Sequence, residues 1–116
     1  MPPDATVGYI RVSHLVEEAP EGGFVSYCPE LGIASQGESV GEALNNLRDA
    51  TYTFLNTIEN LGDRARIFSE RGIKVHPAKP REPVRFDVKP SQAASVFVTH
   101  VGRGPTRGGQ LTAAAR

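Results

Sequence analysis

At 116 residues the chain has room for one domain of ordinary size, and its apolar residues, 39% of the total, never run for the roughly 20 positions a membrane-spanning helix needs. The beginning, MPPDATVGYIRV, has no basic stretch followed by an apolar one, so no secretory leader is expected, and the lone Cys28 excludes an internal disulfide and any multi-cysteine zinc site. Together these facts favour a cytoplasmic protein. Zero formal net charge hides an uneven distribution, with 6 Lys/Arg against 11 Asp/Glu in residues 1–76 and 7 against 2 in residues 77–116, the pattern of an acidic body carrying a basic extension.

Residues Val7–Leu15 alternate between two sets, Val7, Tyr9, Arg11, Ser13 and Leu15 on one side, Ile10, Val12, His14 and Val16 on the other. Alternation over this length predicts a strand. Glu17–Gly23 combines a proline with two glycines, a turn composition that leads into a second strand, Phe24–Cys28. Pro29–Gly32 is another turn signal, followed by a third short strand, Ile33–Gln36. Three short strands joined by turns predict an antiparallel meander.

Ser39 and Glu42 then form a capping box, in which a serine hydroxyl and a carboxylate satisfy free N–H groups at a helix start. Apolar residues recur at Val40, Ala43, Leu44, Leu47, Ala50, Phe54, Leu55, Ile58 and Leu61, steps of three and four that define one face of an α-helix. Gly62 stands where a left-handed residue would end it, about 22 residues or roughly 33 Å from its start. Asp63–Arg71 predicts a short second helix anchored by Ile67 and Phe68 and stopped by Gly72, and Ile73–His76 a short fourth strand ended by Pro77. The order β-β-β-α-(α)-β implies an α+β fold, a small antiparallel three- to four-stranded sheet with one long helix packed on one face.

Past residue 76 the composition changes, with five of the nine prolines and four of the twelve glycines. We therefore divide the chain into an α+β domain, residues 1–76, and a basic Pro/Gly-rich extension, residues 77–116. Two extended patches stand out within the extension, Val84–Val88 and Ser95–Val101. The second, β-branched and compact, suits a sheet edge, either of this chain or of another. Arg103 and Arg107 follow it as candidate nucleic-acid contacts, with few aromatics nearby for stacking on bases.

Residues with catalytic potential are scattered. His14, His76 and His100 each fall in or at the end of a predicted strand, without a His, Asp or Cys at ligand spacing, so neither a metal nor another cofactor is expected. Cys28 closes an apolar strand with no local base to activate it, which reads as a packed thiol. The GRGPTRGG segment has no following helix to hold a phosphate. The chain is expected not to be an enzyme.

One ordered set of motifs carries a family resemblance. Gly22–Gly23, Tyr27, Pro29–Glu30–Leu31, Ser35–Gln36–Gly37–Glu38–Ser39 and Glu42–Ala43–Leu44 occur at the spacing of a Gly-rich turn, an aromatic strand, a second turn and a capped helix. In this the chain resembles the HicB antitoxin family over roughly residues 7–76. The resemblance implies a partial ribonuclease-H-like domain without nuclease activity, assembled as dimers or higher oligomers, that blocks a small RNA-cleaving toxin of the HicA type. Many family members carry a C-terminal DNA-binding helical segment. Residues 77–116 offer no amphipathic helix of that kind, which leaves DNA or RNA binding open.

The expected function is therefore an antitoxin-like binding protein that covers its toxin sterically, with a toxin-independent structural or regulatory oligomer as the alternative. A single helix covers one face of the sheet and leaves the other free. The expected oligomer or partner interface comprises Phe24, Val25 and Tyr27 on the second strand and Val96, Phe97 and Val98 in the extension.

Overall fold

The alternating pattern near the N-terminus becomes a long strand, β1 (Ala5–Glu18), in a computed structural model that describes residues 5–81, 86 and 88–103. The glycine-containing turn after it lets β2 (Phe24–Cys28) fold back antiparallel, with Leu15 opposite Tyr27 and Glu17 opposite Val25. The next turn brings β3 (Ile33–Gly37) alongside β2, with Tyr27 opposite Ala34. The meander expected from the turn residues is therefore present.

Ser39 starts the long helix α1 (Val40–Asn60), its hydroxyl accepting the Glu42 N–H at 3.1 Å. The reciprocal bond of the capping box is displaced by one residue, because the Glu42 carboxylate accepts from the N–H of Glu38 rather than from the cap residue itself. Gly37 allows the strand to run hard against the helix start: a β-carbon there would lie 2.5 Å from the Ala43 nitrogen. Gly62 and Gly72, with φ of 75° and 68°, follow the ends of α1 and of α2 (Arg64–Arg71), as their left-handed conformations require.

The apolar stripe of α1 lies on one face of the sheet. Ala43, Leu47 and Ile58 are buried from it, while the stripe's two outer members, Val40 and Leu61, are exposed. Thr51 takes a buried place on the same stripe, one turn beyond Leu47. Against the helix the sheet sets Ile10 and Val12 of β1 and Cys28 of β2, and Leu31 and Phe68 complete the core from the turn and from α2.

The fourth strand differs from expectation. Ile73–His76 contributes only a single bridge, in which His76 and Tyr9 exchange backbone hydrogen bonds of 2.8 and 2.7 Å. The strand that completes the sheet is β4 (Gln92–Arg103), antiparallel to β1 along almost its whole length, so the order is β3-β2-β1-β4. Residues 73–76 make too few pairs to lie as a strand. The β-branched run of Ser95–Val101 gains both a ladder and core contacts for Phe97 and Val101. The folded unit thus extends beyond residue 76, and the pairing segment at 95–101 joins the chain's own sheet. The Val84–Val88 patch lies largely outside the described residues.

Candidate functional site

Because side chains alternate along a strand, the face of the sheet turned away from α1 is set by register. It carries Tyr9, Arg11, Ser13, Leu15 and Glu17 from β1, Val25 and Tyr27 from β2, and Ala34 and Gln36 from β3. From β4 it receives Ala94, Val96, Val98 and His100. Ala34, Tyr27, Leu15 and Ala94 form one row across all four strands, and Val96 and Val98 lie opposite Ser13 and Arg11. Among the described residues no helix packs on this face. Leu15, Val25, Tyr27 and Val98 are half-buried by their neighbours alone, and Val96 is 41% exposed.

Polar side chains brace the apolar row. The Gln92 amide donates to a Glu17 carboxylate oxygen at 2.7 Å and to the Tyr27 hydroxyl at 2.8 Å, which holds the Tyr27 ring down along the sheet. Glu30 acts where β2 stops: its carboxylate accepts the Ser13 N–H at 3.0 Å and the Ser13 hydroxyl at 2.9 Å, replacing the strand that β1 would otherwise need there. A notch lined by Arg11, Glu30, Ile73, Lys74 and His76 lies between this clamp and the Tyr9–His76 bridge.

The two edges of the sheet are finished differently. At the β3 edge, which is five residues long, the Asn46 amide donates to the outward carbonyl of Gln36 at 2.7 Å. At the other edge, the direction of each backbone group follows from β1. Tyr9 and Ser13 bond toward the β2 side, so Ile10 and Val12 bond toward β4, pairing with Thr99 and Phe97. By alternation the N–H and C=O groups of Ala94, Val96, Val98 and His100 point out from the edge. Among the described residues they meet one weak partner, the Thr99 hydroxyl, which lies 3.4 Å from the His100 carbonyl.

The helix side holds the chemically active types, and burial quiets them. His14 is 3% exposed and stacked on Phe97, with ring centroids 4.6 Å apart. The Thr51 hydroxyl donates its one proton to the Leu47 carbonyl at 2.7 Å, so toward His14 Nε2, 3.3 Å away, it acts as acceptor. Nε2 then carries the proton of a neutral imidazole. Burial, and secondarily the charge of Arg48, push the His14 pKa down to about 4, with the Glu30 carboxylate opposing. Burial pushes the Cys28 thiol up to about 12, far from a nucleophile's range. Among the described residues no group of three or more His, Cys, Asp or Glu is placed to hold a metal ion.

The structure divides the sequence-predicted interface residues between the two sides of the sheet. Val25, Tyr27, Val96 and Val98 share the open face. Phe24 and Phe97 turn to the helix side, where Phe97 is 8% exposed and wedged between His14 and Tyr52. Arg103 ends β4, and Arg107 lies outside the described residues. The sequence reasoning missed the Glu30–Ser13 clamp, which joins residues 17 apart in the chain and leaves no local pattern to find. The sequence did mark Ser95–Val101 as suited to a sheet edge of this chain or another; the structure adds that it pairs with β1 and that, among the described residues, no strand lies on its outer side.

This architecture defines a two-layer α+β protein with α1 on one sheet face and, among the described residues, no helix on the other. Comparison with protein-family models, curated proteins and solved structures yields no match.

Proposed function

We propose that this chain is an antitoxin-like binding protein of the HicB type, which neutralises a small RNA-cleaving toxin of the HicA type in the cytoplasm by covering it sterically. The observation that supports the reading is the open sheet face, where Leu15, Val25, Tyr27, Val96 and Val98 form an apolar surface held in fixed geometry by the Gln92 and Glu30 bonds. A contiguous apolar patch that its own sheet leaves half-buried, with Val96 exposed, suits a protein-binding surface. The nucleophilic and basic groups of the helix side are packed into the core, so the reading assigns them no chemistry on RNA and leaves blocking to shape and surface.

The test is an RNA-cleavage assay on a small toxin of the HicA type, sought as a small basic protein encoded beside this gene. Purified full-length chain should abolish cleavage at stoichiometric amounts, and Val25→Asp, which places a charge on the open face, should raise the amount needed by at least about tenfold. Cleavage unaffected by a stoichiometric excess of the wild-type chain would remove the antitoxin reading. The second reading, a toxin-independent structural or regulatory oligomer, draws its support from the β4 edge, which no strand covers among the described residues.

A further inference from the structure

We propose that the outer edge of β4 pairs antiparallel with the β4 of a second copy of this chain, joining the two four-stranded sheets into one continuous sheet. This inference goes beyond the antitoxin reading and stands or falls independently of it.

The contrast between the two edges carries the argument. Proteins generally protect sheet edges with short strands, charges, prolines, bulges or capping groups, because a bare edge recruits another strand. The β3 edge follows that rule, being short and capped by Asn46. The β4 edge does not. It runs for 12 residues, and from Ser91 to Gly102 the chain contains no charged residue and no proline. The one irregularity in the β1–β4 ladder falls near its far end, between Thr6 and Gly8 of β1. Among the described residues, four successive outward residues, Ala94, Val96, Val98 and His100, present donors and acceptors with one weak partner between them.

Self-pairing suits this strand. A strand without Asp, Glu, Lys or Arg from Gln92 to Gly102, laid against itself about its middle, brings no like charges into opposition, and its β-branched residues favour cross-strand contact. A two-fold axis at Phe97 would pair outward-bonding Val96 with Val98 of the second copy, and Ala94 with His100. Such an interface is isologous and closes after two copies. Paired residues share a face, so both α1 helices would lie on one side and the two open faces would merge on the other. Val96, an exposed valine, would then rest beside Val98 of the second copy.

The experiment uses the full-length protein. Light scattering at tens of micromolar should give a mass twice the 12.5 kDa of the chain. Val98→Pro should reduce it to the monomer with an unchanged far-UV circular dichroism spectrum, because the Val98 N–H points outward and proline is tolerated at a sheet edge. Val96→Lys, which sets a charge at the same edge, is the second variant and should act alike. In the wild type, hydrogen exchange should find the Val96 and Val98 amides protected at least about tenfold over the same amides in the Lys variant. A monomeric wild type would overturn the proposal. So would a dimer that survives both substitutions, or one in which the Val96 and Val98 amides exchange like exposed loop amides; either would move the contact to the open face. A heteromeric complex that alone protects these amides would show that another chain's strand takes the edge, and would overturn it as well.

Discussion

Acid should destabilise this protein through His14, and replacing that residue should remove the effect. In the folded chain His14 is held neutral, its pKa pushed to about 4 from an ordinary 6.5 by burial and by Arg48. In the unfolded chain it titrates normally. As pH falls the unfolded state takes up the proton first, so the stability is whole above pH 6.5 and drains away between there and about 4. One pKa unit corresponds to about 1.4 kcal/mol, so the loss amounts to about 2 kcal/mol at pH 5 and about 3 kcal/mol below pH 4. His14→Phe is the matching perturbation. A phenyl ring can keep the stack on Phe97, and the Thr51 hydroxyl retains its bond to the Leu47 carbonyl. Urea denaturation at pH 7 and pH 5 should show the wild type losing about 2 kcal/mol more than the variant across that interval. Carboxylates that titrate in the same range affect both proteins and cancel in the comparison. Equal losses would mean that His14 accepts a proton in place, and the buried neutral imidazole would be wrong.

Three further outcomes follow from the core and the helix start. Leu47→Ala, at a fully buried position against the sheet, should cost about 2–5 kcal/mol in chemical denaturation; a loss below about 1 kcal/mol would place the wrong face of α1 inward. Ser39→Ala should cost about 0.5–2 kcal/mol in the same assay by orphaning the Glu42 N–H, and a neutral result would assign the cap to Glu42 alone. Cys28, buried and held protonated to about pH 12, should resist a thiol reagent such as dithionitrobenzoate at pH 8 until urea unfolds the chain. Prompt labelling of the native protein would contradict that packing.

Local chemistry was enough for much of this fold. The turns at Glu17–Gly23 and Pro29–Gly32, the Ser39 cap and the glycines at 62 and 72 act over a few residues, and their elements appear within a residue or two of the expected bounds, β1 excepted. Alternation also separated Tyr9, Arg11, Ser13 and Leu15 from Ile10, Val12, His14 and Val16, and the structure keeps those two sets on opposite faces. What alternation cannot tell is which face a helix will cover. That choice depends on the total apolar volume each face offers to α1, and it decides that Phe97 is core while Val96 and Val98 are surface.

Pairing partners were likewise beyond reach of the sequence. Ile73–His76 and Ser95–Val101 both have strand-like composition, and only the assembled sheet shows that β1 offers the first a single bridge and the second a full ladder. The same holds for polar residues in buried places. Thr51 and His14 satisfy each other across 37 residues, and Glu30 substitutes for a missing strand at Ser13. A polar side chain's burial depends on a partner that the fold brings to it, and the energy of such a contact is written in distance rather than in sequence spacing.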